Sequence, residues 1–359
     1  MALTELDESA MPPRIVHLLG GLRAVDDRQG KVFVQAGRDC KFCEFPVPNY
    51  AKLYAALRAL KLETVGAEFV NDHSYQGLDT PDWQCAAPSG QFSMRLERHA
   101  WADVRHAAIQ DRNPEIADGA ARAKTYVDLL AVRIFQLSGE YNGCLRAWHL
   151  GAGDPNGTFF ENGFVRNIDA AIHAFAADAA SLRDLIAELV WRDVQGEVEE
   201  VRTLGTFLKR NRDNQDPLVS EIVAEGQNGG WIKQLTDLRN HITHVAPVGR
   251  GHALHFCEAR KRNIGDIPDI PTLHYPLLGD DGSILEILDS SIDYDDAGAF
   301  KAAIREYQNI VSQSIDALQY AWETVARLVD LLGDVRQRAG YRTETPHLTE
   351  DDIVNVEQL

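Results

Sequence analysis

The chain has 359 residues, 45% hydrophobic and 25% charged, the balance of a folded globular protein and not of a disordered or fibrous one. Thirty-six Lys and Arg against fifty-four Asp and Glu leave a formal charge of −18, which excludes broad electrostatic attraction to nucleic acid and leaves room only for a local basic site. No apolar run approaches the ~18 residues of a membrane span, and the opening MALTELDESAMPPR is acidic where a secretory leader is basic and then apolar, so no membrane association and a cytoplasmic location are expected.

Residues 1–115 read as a small α+β region of unknown function. Short apolar runs at 32–36 (VFVQA) and 67–70 (AEFV) accompany one clear helix, YAKLYAALRALK, in which Leu53, Leu57 and Leu60 repeat at helical spacing. Loops rich in Gly, Pro, Asp and Ser interrupt it at 71–91. Five scattered cysteines imply reduced thiols. Only Cys40 and Cys43 form a motif, half of a zinc site by spacing, and with no second C-x-x-C they read as two thiols near a strand end.

From about 116 to 340 helices dominate. Val127, Leu130, Ile134 and Leu137 step by three and four along the first. The following GAGDPNG (151–157) misses the G-x-G-x-x-G spacing by one residue and reads as a turn-rich linker. Residues 164–191 carry one apolar stripe, from Phe164 to Leu189, and residues 298–335 carry another, from Phe300 to Leu332, each predicting a single long helix. Two such stripes must be buried against each other or a partner, giving a mainly α helical bundle.

Between them Asp216 and Pro217 open a short helix that Gly226 is expected to close in the left-handed conformation. A second helix starts at Trp231, turns Leu235, Leu238 and Ile242 inward, and stops at Pro247. Residues 251–292 read as an extended insertion with a hairpin around Asp280, Asp281 and Gly282. Residues 341–359 form an acidic tail.

The chemistry concentrates in WIKQLTDLRNHITHVAP (231–247), where Asp237, Arg239, Asn240, His241 and His244 fall within two turns. Asn240 and His244, four apart, share a face that Arg239 flanks. His244 lies in the last turn, where free carbonyls favour an imidazolium. An imidazole to move a proton beside a guanidinium to hold a phosphate is what metal-free phosphodiester cleavage requires. The bare Arg/His spacing also occurs at Arg166/His173, Arg250/His255 and Arg342/His347, so helical context, the adjacent Asn and the stop at Pro247 single out Arg239/His244.

Arg239-Asn240-x-x-x-His244 resembles the R-x(4–6)-H signature of HEPN domains. The order of elements over about 160–338 is similar too: a long helix, a short capped helix, the motif helix, then a long helix. The resemblance implies a HEPN-like bundle with a metal-independent endoribonuclease activity needing no cofactor. Its expected setting is toxin action or antiviral defence, and its expected assembly is a homodimer whose two motifs face each other. By match, His244 is the general acid or base, Arg239 the phosphate clamp and Asn240 an orienting partner.

Residues 202–262 hold ten basic and six acidic side chains. His241, Arg260, Lys261 and Arg262 are therefore the candidate RNA-binding residues. His173, one turn after Asp169, is a further candidate to reach this cleft. Competing readings are a non-catalytic HEPN-like module that binds a nucleotide or protein and dimerises, an ordinary surface ion pair at Arg239 with His244 as a helix cap, and metal ligation by Asp237, His241 and His244.

Overall fold

The computed structural model describes residues 14–27, 29–47, 50–88, 93–151, 159–160, 162–245, 248, 256–285 and 295–344. The linker at 152–158 and the tail from 345 onward lie outside the described residues. The fold is mainly α, with a six-stranded antiparallel sheet in the N-terminal part.

Strands β1 (Arg14–Leu18), β2 (Arg23–Asp26), β3 (Lys31–Gly37) and β4 (Cys40–Pro46) form a meander. After α1 (Tyr50–Ala59), β5 (Thr64–Phe69) returns beside β1, and β6 (Asp82–Cys85) follows the short α2 (Asp72–Tyr75) to complete the order β4-β3-β2-β1-β5-β6. Period-two alternation puts Val16, Leu18, Ala24, Val32, Val34 and Ala67 in the core, which Leu53 and Leu57 of α1 join. The cysteine motif sits on β4, Cys40 buried and Cys43 half-buried, and burial pushes both thiols up, away from the reactive thiolate.

Helix α3 (Ser93–Gln110) buries Met94, Trp101 and Val104 and lies along α4 (Pro114–Gly151). At 38 residues α4 serves both halves of the molecule. Its backbone accepts the Trp83 indole N–H at Ala131 (2.9 Å), and its Asn142 donates to the carbonyls of Gly21 and Ala36 (2.8 and 2.9 Å), tying it to the sheet. On its helical side Arg122 reaches Glu188 and Arg133 reaches Asp178 on α5 (Gly163–Leu189), whose first turn is capped by Asn162. Sheet and helices share one hydrophobic core.

Beyond α5 the helix widens into a π turn over Val190–Val194, followed by α6 (Leu204–Arg210), α7 (Pro217–Glu225) and α8 (Trp231–His244). Asp216 caps α7 as its sequence predicts, accepting from Leu218 and Val219. Gly226, however, is right-handed (φ −79°), and Gly229 (φ +91°) supplies the left-handed turn instead. What Gly226 provides is room, because a Cβ there would stand 2.7 Å from Leu208 Cδ1.

The extended insertion holds β8 (Cys257–Ile264) and β9 (Ile267–His274), which pair with each other and, through β8, with β7 (Phe159–Phe160). Beyond β10 (Pro276–Leu278), a Leu278–Ile284 bridge closes the expected turn around Asp280–Gly282.

The stripe over 298–335 is not one helix. It is divided into α9 (Ala297–Gln313) and α10 (Ala317–Arg338) by β11 (Ile315–Asp316), which pairs with β10. The break has a polar cause: Asp316 caps α10 through Gln319 N (3.0 Å) while its other oxygen accepts from Tyr275 N (2.9 Å), so Ser314 and Asp316 are extended. The two halves also pack differently. Tyr307 and Val311 of α9 gather Phe159, Phe256 and Leu285 into a satellite cluster, whereas α10 enters the main core.

Candidate functional site

The motif helix α8 is fixed from below. Ile232, Leu235 and Leu238 are buried, and α8 packs on α5, whose Arg183 reaches Thr236. At about 100° per residue, Lys233, Asp237, Asn240 and His244 fall within an arc of about 60° on the opposite side. Asn240 and His244 are exposed there.

At the same 100° per residue Arg239 falls at the edge of the buried side, between Leu235 and Ile232 and about 140° from His244, and is half-buried. Its guanidinium turns outward, Nη1 donating to Asn240 Oδ1 at 3.2 Å. Arg239 and Asn240 are thus brought together by a direct contact, and His244 stands one turn further along Asn240's face. The last turn is held by Val245 N donating to His241 O (2.9 Å) and by the Thr243 hydroxyl donating to Arg239 O (2.8 Å).

Two neighbours set the local charge. Lys233 Nζ lies 2.5 Å from both oxygens of Asp237, so the carboxylate that α8 itself places on this face is already countered, and among the described residues Arg239 makes no ion pair. Asp237 is thereby engaged by an ammonium and not poised with His241 and His244, and among the described residues no three His, Cys, Asp or Glu side chains gather as metal ligands. Lys233 was legible as the i, i+4 partner of Asp237, a pairing the search for Arg/His spacing passes over.

The remaining candidates do not join Asn240 and His244 on the outward face. His241 is half-buried on the flank of α8 opposite Arg239. Arg260 on β8 spends its guanidinium on Glu258 (2.6 Å) and on the Val311 carbonyl (2.7 Å). Arg262 donates to the Lys61 carbonyl, and Lys261 stands exposed, 4.0 Å from Asp269. Arg260 and Arg262 brace the β8–β9 hairpin against α9 and the N-terminal part, a use that a count of charges along the sequence does not reveal.

His173 on α5 does reach the neighbourhood of the motif: its Nε2 accepts the Val248 amide at 3.0 Å, just beyond the end of α8. Burial lowers its pKa, keeping the ring neutral. Arg183, also on α5 and nearly buried, donates to Thr236 Oγ1 (2.8 Å) at the other side of the motif.

A second constellation is inaccessible to substrate. His17 on β1 is fully buried between Glu68 (2.6 Å) and Ser138 of α4 (2.9 Å), with Arg23 also on Glu68 and the Trp83 ring 4.8 Å away. Burial, reinforced by the Arg23 charge and opposed by Glu68, takes His17 down to about 4. A serine, an imidazole and a carboxylate in contact have the elements of a nucleophilic triad, but with no exposed hydroxyl this group serves as a polar joint between sheet and helix.

No family model, curated protein or solved structure matches this chain. Among the described residues no helix is long and apolar enough to cross a membrane.

Proposed function

We propose that the protein is a metal-independent endoribonuclease of the HEPN type, acting as a homodimer on RNA. The observation that carries this reading is the Arg239–Asn240 contact on α8, which draws the guanidinium toward the face on which His244 is exposed. A planar cation beside a polar amide can grip a phosphate through two N–H groups, and an exposed imidazole can move a proton at physiological pH.

In this reading the ribose 2′-oxygen bonds to the adjacent phosphorus as the P–O5′ bond breaks. The 2′ proton leaves to a base, and the departing 5′-oxygen receives one from an acid. His244 fills one of these roles and its copy across the dimer the other, while Arg239 stabilises the charge building on the phosphate and Asn240 keeps the guanidinium in register. Countering of Asp237 by Lys233 supports the reading, since a free carboxylate there would repel RNA. A toxin or defence setting is the corresponding biological proposal.

The test is cleavage of labelled RNA by purified protein in EDTA. Fragments with a cyclic phosphate and a free 5′-hydroxyl are expected, with loss of cutting in Arg239→Ala and in His244→Ala at unchanged circular dichroism. Full activity in both variants would overturn the proposal, and a dimer that binds RNA but leaves it intact in the wild type would assign the fold to binding instead.

A further inference from the structure

The segment carrying Arg239, Asn240, His241 and His244 is fastened to α5 by two polar contacts that bracket it. On the N-terminal side Arg183 Nη1 donates to Thr236 Oγ1 at 2.8 Å, with the guanidinium itself held by Asp184 at 2.8 Å. On the C-terminal side Val248 N donates to His173 Nε2 at 3.0 Å. The Thr236 hydroxyl, in turn, donates to Ile232 O at 2.7 Å, so the first contact runs into the α8 backbone.

The second contact fixes a chemical state. An imidazole nitrogen that accepts from an amide carries no proton, so His173 is the neutral tautomer with hydrogen on Nδ1. Protonation of Nε2 would aim one N–H at another and lose the bond. Asp169, one turn earlier on α5, is itself engaged by the Tyr275 hydroxyl.

We infer that His173 is a positioning residue for the cleavage site: by holding the Val248 amide it fixes the last turn of α8 and so the place at which the His244 imidazole stands. This rests on the nuclease reading above and adds to it a group that touches neither RNA nor the reacting atoms. The alternative role is a fastening that only stabilises the fold, and the two separate in the behaviour of variants. Glutamine at 173 can offer an amide oxygen to Val248, whereas alanine cannot.

The experiment uses the full chain and three proteins: wild type, His173→Ala and His173→Gln. Nitrogen-15 NMR of the wild type at pH 7 is expected to show Nε2 unprotonated, and amide exchange at Val248 is expected to be slow, fast in His173→Ala and slow again in His173→Gln. Cleavage of RNA is expected to fall in kcat by ~10- to 100-fold in His173→Ala with KM little changed, and to recover most of that loss in His173→Gln. A protonated Nε2, or Val248 exchange that ignores the alanine substitution, would overturn the contact. Fast Val248 exchange with unaltered kcat in His173→Ala would overturn the positioning role. A wild type that shows the tautomer and the protection but cuts no RNA would remove the nuclease reading and reduce His173 to a fastening.

Discussion

Tyr141 on α4 and Asp316 at the start of α10, 175 positions apart in sequence, meet through a 2.9 Å hydrogen bond in the core. The phenol donates to the carboxylate and accepts from Leu318 N at 3.1 Å, so one side chain serves both the cap and the first turn of α10. Burial pushes the Asp316 carboxyl up, and the surrounding donors work against that push.

Tyr141→Phe should therefore leave a buried carboxylate short of one donor and deprive the Leu318 amide of its phenol acceptor. A loss of about 1–3 kcal/mol is expected in urea unfolding. An unfolding midpoint equal to that of the wild type would show that this bond contributes nothing.

Acid should weaken the fold through His17 and His274, which burial lowers to about 4 and about 3. In the unfolded chain each imidazole takes a proton near pH 6.5, while in the folded protein each resists until the lower value. Stability is then complete above pH 6.5 and falls as pH drops from 6.5 toward 4, by on the order of 3 kcal/mol for His17. Glu68, held below its ordinary value by His17 and Arg23 against its own desolvation, adds to the loss as pH falls through its folded value. His17→Gln should flatten the slope of stability against pH in that window, and an undiminished slope would exonerate His17.

Gly21 sits at φ +80°, and a Cβ there would stand 2.7 Å from the Tyr141 carbonyl oxygen, against helix backbone that cannot swing aside. Gly21→Ala combines left-handed strain with overpacking and should cost roughly 2–4 kcal/mol. Thermal melting reads the effect directly; a change below about 1 kcal/mol would mean that the loop can retreat from α4.

Replacing the carboxylate that Lys233 counters should strengthen RNA binding. Asp237→Asn is expected to raise affinity several-fold at low salt, less at high salt, while altering stability by under ~1 kcal/mol because the pair is largely exposed. Affinity that falls, or that ignores ionic strength, would place RNA away from this face.

The helices were the legible part of the sequence, since stripes such as Ile168–Ile172–Phe175 report directly on a buried face. The break at Ser314–Asp316 was hidden by the same regularity: Val311, Ile315 and Leu318 keep helical spacing across it, and only the donors that converge on Asp316 from Tyr275 and Tyr141 reveal why the chain must extend. The β1 and β2 strands are short, and the pairing of β1 with β5 joins neighbours distant in sequence, which local pattern does not report. At the candidate site, Arg239 and Asn240 could be picked out from spacing, whereas the engagement of Arg260 and Arg262 by backbone carbonyls could not, because nothing along a sequence states which acceptor a guanidinium will meet.

Helix α4 is a shared wall, with the sheet on one side and α5 and α10 on the other. A chain severed near residue 112 would give two fragments, each with a naked apolar flank where the other had lain. The two regions that the sequence suggests are therefore joined through one wall, and removing either would leave α4 with an uncovered apolar side.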